Sequence, residues 1–268
     1  MDWREVGLYC LPSFLIPFFD DELLLKNRVR KQWEALGSSD PYWAVLTHPE
    51  QKGGKWDKKT FFETGDGEVA AVLEKVSAMG IPTCFAVALD YGCGVGRLSR
   101  ALASHFDRVI GVDISESMLD EARSANSAVP NLEFQRNSGE DLGGIADESV
   151  DFLYSNMVLQ HSPPDFQRRL VGEFCRVLRP DGVLVFQTPS HINTRSLRGL
   201  AYLLLGNRLL NLARRVVFGK DSVMELHSLR DNVVRQLLAE GDAPLAFAER
   251  YDAAGAGFVS YRYFAVKR

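Results

Sequence analysis

Four cysteines in 268 residues, Cys10, Cys84, Cys93 and Cys175, stand singly, with no C-x-x-C pair and no cluster of three. That spacing excludes an iron–sulfur centre. Isolated thiols and the lack of a leader-like start are the usage of a cytoplasmic protein, the localisation expected here. An excess of one charge is also lacking: 31 basic and 35 acidic residues give a net −4, which offers no footprint for nucleic acid. Long uncharged hydrophobic runs are missing too. Leu11–Phe19 is broken by Pro12 and Pro17 and preceded by Asp2 and Glu5, so it reads as neither a signal sequence nor a span. The stretch SLRGLAYLLLGNRLLNLARRVVFG is interrupted by Arg198, Asn207, Arg208, Arg214 and Arg215, which rules out a lipid span. No internal repeat or low-complexity tract occurs. What remains, 46% hydrophobic and 25% charged, is the composition of an ordinary soluble globule. Its length suits one large core with an embellishment.

The most informative residues present are Cys84 to Ser115, CFAVALDYGCGVGRLSRALASHFDRVIGVDIS. An apolar stretch ends in Asp90, and a glycine turn follows at once. Arg97–Phe106 has helical spacing, with Leu98, Ala101, Leu102 and His105 on one side. A second apolar run, Val109–Val112, ends in Asp113. Strand, turn, helix, strand and acid make the nucleotide-binding half of a doubly wound α/β sheet. Gly92, Gly94 and Gly96 let the backbone take positive φ and approach a ligand. Asp113 stands where such folds grip a ribose hydroxyl pair. In the dinucleotide fingerprint G-x-G-x-x-G/A the third small residue would fall at Arg97, so that pattern fails and a nicotinamide oxidoreductase is argued down.

What stands instead, Asp90-x-Gly92-x-Gly94-x-Gly96, resembles the first motif of class I S-adenosylmethionine-dependent methyltransferases. A carboxylate beside the loop would repel a pyrophosphate but suits an ammonium and a sulfonium. The alternation continues: Ser115 caps a helix, Asn131–Arg136 and Val150–Tyr154 read as strands, and Pro164–Leu178 reads as a helix carrying Phe166, Leu170, Phe174 and Leu178 on one face. Arg179–Gly182 is a turn into a fifth strand, Val183–Gln187. LEFQRNSGEDL and RVLRPDGVLVFQTPS resemble later motifs of the same family. The resemblance spans about residues 80 to 190 and the β-rich end from Leu245 to Val266.

It implies an α/β fold: a doubly wound, mainly parallel seven-stranded sheet with helices on both faces. The expected parts are an N-terminal helical extension or flap over 1–80 and a Rossmann-like core over 81–190. A helical cap insertion follows over 191–241, then a closing hairpin over 242–268. The cofactor implied is S-adenosylmethionine, and no metal is needed. Its expected holders are Asp90, Tyr91, Gly92, Gly94 and Gly96 at the methionyl end, where a side chain at 94 would collide with the methionyl group, and Asp113 with Ile114 at the ribose. Met118 would cover the adenosine or fill core. The resemblance places the adenine at Ser138, Gly139 and Glu140. The family usually has an aspartate where Ser138 stands, which leaves Ser138, Glu140 or Asp141 to meet the amino group. Ser155 and Asn156 would frame the methionyl part.

Asn156-Met157-Val158-Leu159 replaces the N-P-P-Y tetrapeptide of enzymes that methylate exocyclic amino groups, which disfavours DNA. His161, in VLQHSP, resembles the L-x-H-x-P stretch of small-molecule O- and N-methyltransferases. It is either a general base for a hydroxyl acceptor or a strut for the next helix. The function implied is methyl transfer to an oxygen, less readily a nitrogen, of a small organic acceptor. The alternatives are a lipid or quinone-like acceptor at a membrane surface and a non-catalytic cofactor-binding module.

Two segments lie outside the shared motifs. A helix is expected over Asp21–Leu36; beyond it Trp43, Trp56, Phe61 and Phe62 would form an apolar ceiling or fill a helix-to-sheet seam. The basic stretch from Ser196 to Gly219 reads as a cap over the acceptor, a membrane-surface helix or a dimer contact, with the cap preferred. As a cap it would wall the site with Leu200, Leu203, Leu204 and Leu210 and keep Arg198, Arg208 and Arg214 at the rim. Glu225 and His227 follow at i, i+2, candidates for a second base if the cap folds back. A helix from about Leu229 to Glu240 precedes the closing hairpin.

Overall fold

The computed structural model describes residues 18–81, 83–139, 141–218 and 225–268. Cys10, Glu140, Met224 and nearly all of Leu11–Phe19 lie outside them. Three helices come first: α1 (Phe18–Ser39), α2 (Pro41–Val45) and α3 (Lys58–Ala78). Strands and helices then alternate as β1 (Val87–Tyr91), α4 (Arg97–Leu102), β2 (Arg108–Asp113), α5 (Glu116–Ala125) and β3 (Leu132–Arg136). They continue as β4 (Val150–Ser155), α6 (Pro164–Val177), β5 (Leu178–Ile192), α7 (Leu197–Phe218), α8 (Asp231–Glu240), β6 (Leu245–Arg250) and β7 (Phe258–Val266). The seven strands lie in the order β3-β2-β1-β4-β5-β7-β6. All pairs are parallel except those of β7, which runs antiparallel to both β5 and β6. This is the mainly parallel, doubly wound sheet that the alternation implies.

Side chains of successive strand residues leave the sheet on opposite faces, and each face is covered. Ala88, Val109, Phe152, Val185 and Phe264 pack under α3 and α4, against Val69, Val72, Leu98 and Leu102. Leu89, Ile110, Leu153, Phe186 and Tyr263 pack under α6 and α8, against Leu170, Phe174, Val234 and Leu238. Helix α3 thus belongs to the sheet's own covering layer. A third core joins α1 to α3 through Leu36, Tyr42, Phe61, Phe62 and Met118, with Trp56 against it. Phe61, Phe62 and Trp56 therefore fill a seam, and Trp43 alone of the four predicted aromatics faces the cavity described below.

Two predicted boundaries move. Helix α4 ends at Leu102, not Phe106, because the chain must reverse at once to enter β2: Asp107 N donates to Phe85 O and Arg108 N to Ala86 O, both 2.9 Å. His105 is exposed, and Phe106 takes the buried place. The turn expected at Arg179–Gly182 is a bulge within β5. Leu178 pairs with Val150, the register slips, and Val183 pairs with Phe152, with Asp181 at φ 64. Gly206 (φ 64, ψ 171) breaks α7 in its middle, a conformation essentially reserved for glycine. Among the described residues no helix is long and apolar enough to cross a membrane.

Candidate active site

Strand β1 has β2 on one side and β4 on the other, so its carboxyl end opens at the topological switch point where ligands of such sheets sit. The glycine loop follows. Gly92 N and Cys93 N donate to Val112 O at 2.8 and 3.0 Å, and Gly94 N donates to Asp113 Oδ2 at 2.9 Å. Gly92 and Gly94 have φ of 75 and 54. A Cβ at Gly92 would stand 2.3 Å from Val158, and one at Gly94 would stand 2.5 Å from Val45 Cγ2. The space kept free at position 94 is therefore used by α2 closing over the loop, and the collision expected there with a methionyl group is first a collision with Val45.

A cavity of about 550 Å³ begins at this loop. One end is walled by Asp90, Tyr91, Gly92, Gly94, Asp113, Ile114, Met118 and Gly139. Asp113 Oδ1 accepts from Ser115 N at 2.9 Å, so each carboxylate oxygen is fixed by a backbone donor, and the group keeps acceptor capacity for a ribose hydroxyl. Burial raises its pKa, and the nearby Glu34 carboxylate adds to the rise. Glu34 itself accepts from Glu116 N and Ser117 N, both 3.0 Å, at the start of α5, a placement the helix's positive end favours. Asp90 is 1% exposed. Burial pushes its pKa up to about 7, against the lowering pull of Ser99, whose hydroxyl donates to it at 2.6 Å.

The adenine end departs from the sequence reading. Ser138 does not line the cavity, and its hydroxyl accepts from Asp141 N at 3.3 Å; Glu140 lies outside the described residues. Tyr91 donates to Gly139 O at 3.3 Å, tying this loop to β1. Asn137 was missed. It lines the cavity at the end of β3 with both its amide nitrogen and its oxygen buried and unpartnered, the donor and acceptor an adenine edge requires. Its place directly after the strand, as Asp113 stands at the end of β2, is the signal that could have found it. Ser155 is buried and donates to Tyr91 O at 3.0 Å, which makes it a support for the loop rather than part of the wall. Asn156 does line the cavity, with an unpartnered Oδ1. A buried acid, a half-buried one, two amides with open positions and a glycine cradle could hold S-adenosylmethionine, with Asp113 available to the ribose, Asn137 to the adenine, and Asp90 and Asn156 to the methionyl end.

Below that end lies a buried hub that the sequence did not show. Glu68 on α3 accepts from Arg97 at 2.8 Å, from Tyr154 at 2.6 Å and from Asn156, and Arg262 stands 3.6 Å away. Arg97, the residue that breaks the dinucleotide fingerprint, is thus a paired buried cation. Removing one partner would leave the other charged and unpaired.

At the far end the cavity is walled by Trp33, Trp43, Met157, His161, Arg198, Tyr202 and Leu226. His161 Nδ1 lies 3.0 Å from Glu225 O, and Nε2 lies 3.1 Å from Gln160 Nε2. A carbonyl can only accept, so Nδ1 carries the proton and Nε2 is the basic nitrogen. Trp33 meets the ring edge-on, centroids 5.1 Å apart. Burial, then His227, pulls the His161 pKa down to about 4. Neither Glu225 nor His227 lines the cavity. Glu225 pairs with Arg28 and lies 3.5 Å from His227, and His227 N donates to Gln160 O; the pair backs His161 instead of facing an acceptor. The apolar wall expected from α7 is also corrected. Leu200, Leu203 and Leu204 are exposed, Leu210 borders a small adjoining hollow, and Arg198 and Tyr202 form the wall. The side chains of Arg208 and Arg214 lie outside the described residues.

Residues 89–186 match a family model described as a methyltransferase domain. Trans-aconitate 2-methyltransferase of Deinococcus radiodurans is 38% identical over 109 residues, 40% of this chain and 39% of that protein. Malonyl-[acyl-carrier protein] O-methyltransferase of Methylococcus capsulatus is 35% identical over 155 residues, 57% of this chain and 50% of that protein. The chain spans about half the length of the curated relatives it matches, or less. Among solved structures, magnesium protoporphyrin IX methyltransferase of Synechocystis with bound SAH superposes at a TM-score of 0.60 and 21% identity, over 91% of this chain and 100% of that one.

Proposed function

We propose that this chain, whose residues 89–186 match a methyltransferase-domain family model, moves a methyl group from S-adenosylmethionine to an oxygen of a small organic acceptor. One observation carries the reading: a single cavity joins the Asp90–Asp113 end to a chamber walled by Trp33, Trp43 and His161. Cofactor and acceptor can therefore share one enclosure. S-adenosylmethionine supplies an already activated methyl group, so the chain's task is chiefly alignment. Asp113 and Asn137 hold the nucleoside end, and Asp90 and Asn156 hold the methionyl end. The aromatic walls would limit the access of water on the acceptor side.

His161 suits a hydroxyl acceptor. The Glu225 carbonyl fixes its tautomer, so Nε2 can accept the hydroxyl proton once the acceptor replaces the Gln160 amide. A second reading rests on Arg198, a cation on the cavity wall with no ion pair among the described residues. It would suit a carboxylate acceptor, which arrives deprotonated and needs no base. The Deinococcus and Methylococcus relatives, by name, methylate trans-aconitate and malonyl-[acyl-carrier protein], both bearing carboxyl groups. The test is a panel of phenols, sugars, quinols and carboxylic acids scored for consumption of the methyl donor. Turnover of a hydroxyl compound that His161→Ala abolishes supports the first reading. Turnover of an acid that survives His161→Ala and is lost in Arg198→Ala supports the second. No turnover with any member, in a protein that binds the donor, would count against both.

A further inference from the structure

Helix α7 presents opposite chemistry on its two faces. Tyr202 packs on Phe258, ring centroids 4.9 Å apart, and with Arg198 borders the cavity. On the other side Leu197, Leu203 and Leu204 are 88%, 58% and 79% exposed, and Leu200 is exposed as well. At about 100° per residue, Leu197, Leu200, Leu203 and Leu204 fall on one stripe opposite Tyr202. These four leucines make up most of the large exposed hydrophobic side chains among the described residues. A contiguous apolar patch of this kind marks an interaction surface.

The charge along this stretch of the sequence says what it meets. From Gly182 to Lys220 the sequence holds six cations, Arg195, Arg198, Arg208, Arg214, Arg215 and Lys220, and no Asp or Glu, in a chain whose net charge is −4. Leucines flanked by a one-signed run of arginines are the composition of a helix that lies in the headgroup layer of an anionic bilayer. A second copy of the chain would bring two such cationic runs together. We propose that α7 docks this protein onto anionic lipid surfaces, leucine stripe inward, with the Arg198–Tyr202 wall of the cavity beside the headgroups. The docking goes beyond the proposed reaction and holds whichever acceptor is used, though it would let an acceptor with a lipid tail enter directly.

The test uses the full chain with vesicles of phosphatidylcholine alone and of phosphatidylcholine with phosphatidylglycerol. Co-sedimentation should occur with the phosphatidylglycerol vesicles, be weak with phosphatidylcholine alone, and decline as salt rises. The double variant Leu203→Asp/Leu204→Asp should lower the partition coefficient by roughly tenfold or more, since each leucine loses its apolar burial. Its thermal shift with S-adenosylhomocysteine should stay unchanged, which shows that the fold is intact. No binding to the anionic vesicles at low salt would overturn the proposal, as would equal binding by the double variant. So would a salt-resistant dimer that the double variant dissociates with no vesicle binding, which would assign the stripe to a second copy.

Discussion

Replacing Asp90 by Asn should move stability and cofactor affinity in opposite directions. The carboxyl is 1% exposed, feels the negative charge of Asp113, and has its pKa pushed up to about 7 from 3.8, burial being the main cause. A carboxyl raised in the folded state binds more protons there than in the unfolded chain between these two values. Stability therefore falls as pH rises from about 4 to about 7, and above 7 the ionised group carries its whole burden, about 4 kcal/mol. The Asn variant removes that burden while keeping an oxygen to accept from the Ser99 hydroxyl. Even half of the gain, at about 2–4 °C per kcal/mol, is a readily measured rise in melting temperature at pH 8.5, and a smaller one near pH 5. In the proposed placement the same change removes the partner of the cofactor's ammonium. A hydrogen bond to a charged group contributes about 1.5–3 kcal/mol, so affinity for S-adenosylhomocysteine should fall roughly tenfold to hundredfold. Thermal melts at the two pH values and calorimetry at pH 8.5 read both effects. A variant that melts lower at pH 8.5 and binds as well as the parent would make Asp90 a structural acid with no part in holding the cofactor.

His161→Ala should leave cofactor affinity nearly intact and lower turnover of a hydroxyl acceptor by roughly 10²–10⁴; a loss under about fivefold would make His161 a strut under Trp33. With its pKa at about 4, His161 stays neutral across the neutral range, so the acid limb of the rate profile should fall near pH 4–5 and not near 6.5. The same depression makes the folded state the poorer proton binder between about 4 and 6.5. Acidification through that window should cost up to about 3 kcal/mol of stability that His161→Ala does not lose, read from melts over that range. Gly94→Val should weaken cofactor binding by displacing Val45 and α2, and Val45→Ala in the same chain should restore part of it. Glu68→Gln should lower the melting temperature by leaving Arg97 without its carboxylate, whereas Glu68→Gln with Arg97→Met should recover most of the loss.

The sheet and its ligand edge were legible in the sequence because both are local. A strand, a glycine turn, a helix and a second strand ending in Asp113 fit within 32 residues, and their periodicities name their faces. Contacts made across the chain were not legible. Trp33 reaches His161, Glu68 gathers Arg97, Tyr154 and Asn156, and Glu34 caps α5, and no spacing along the chain encodes those pairings. Helix α7 shows the limit most clearly. Its leucine spacing reads as a face turned toward a core, but periodicity says which residues share a face, not which face is covered. Tyr202 found Phe258 and the leucines were left outside. Asn137 was passed over for the neighbours that the family resemblance pointed to.

In the proposed function, the cavity between Asp90 and His161 holds S-adenosylmethionine through Asp113. Calorimetric titration of S-adenosylhomocysteine into the full chain and into Asp113→Ala tests it most directly. The parent should bind one equivalent. The variant should lose several kcal/mol, at about 1.5–3 for each hydroxyl contact, while keeping its folded far-ultraviolet signature. Binding within about threefold of the parent in the folded variant, or a parent that binds a nicotinamide dinucleotide in place of S-adenosylhomocysteine, would exclude this cofactor or its grip by Asp113.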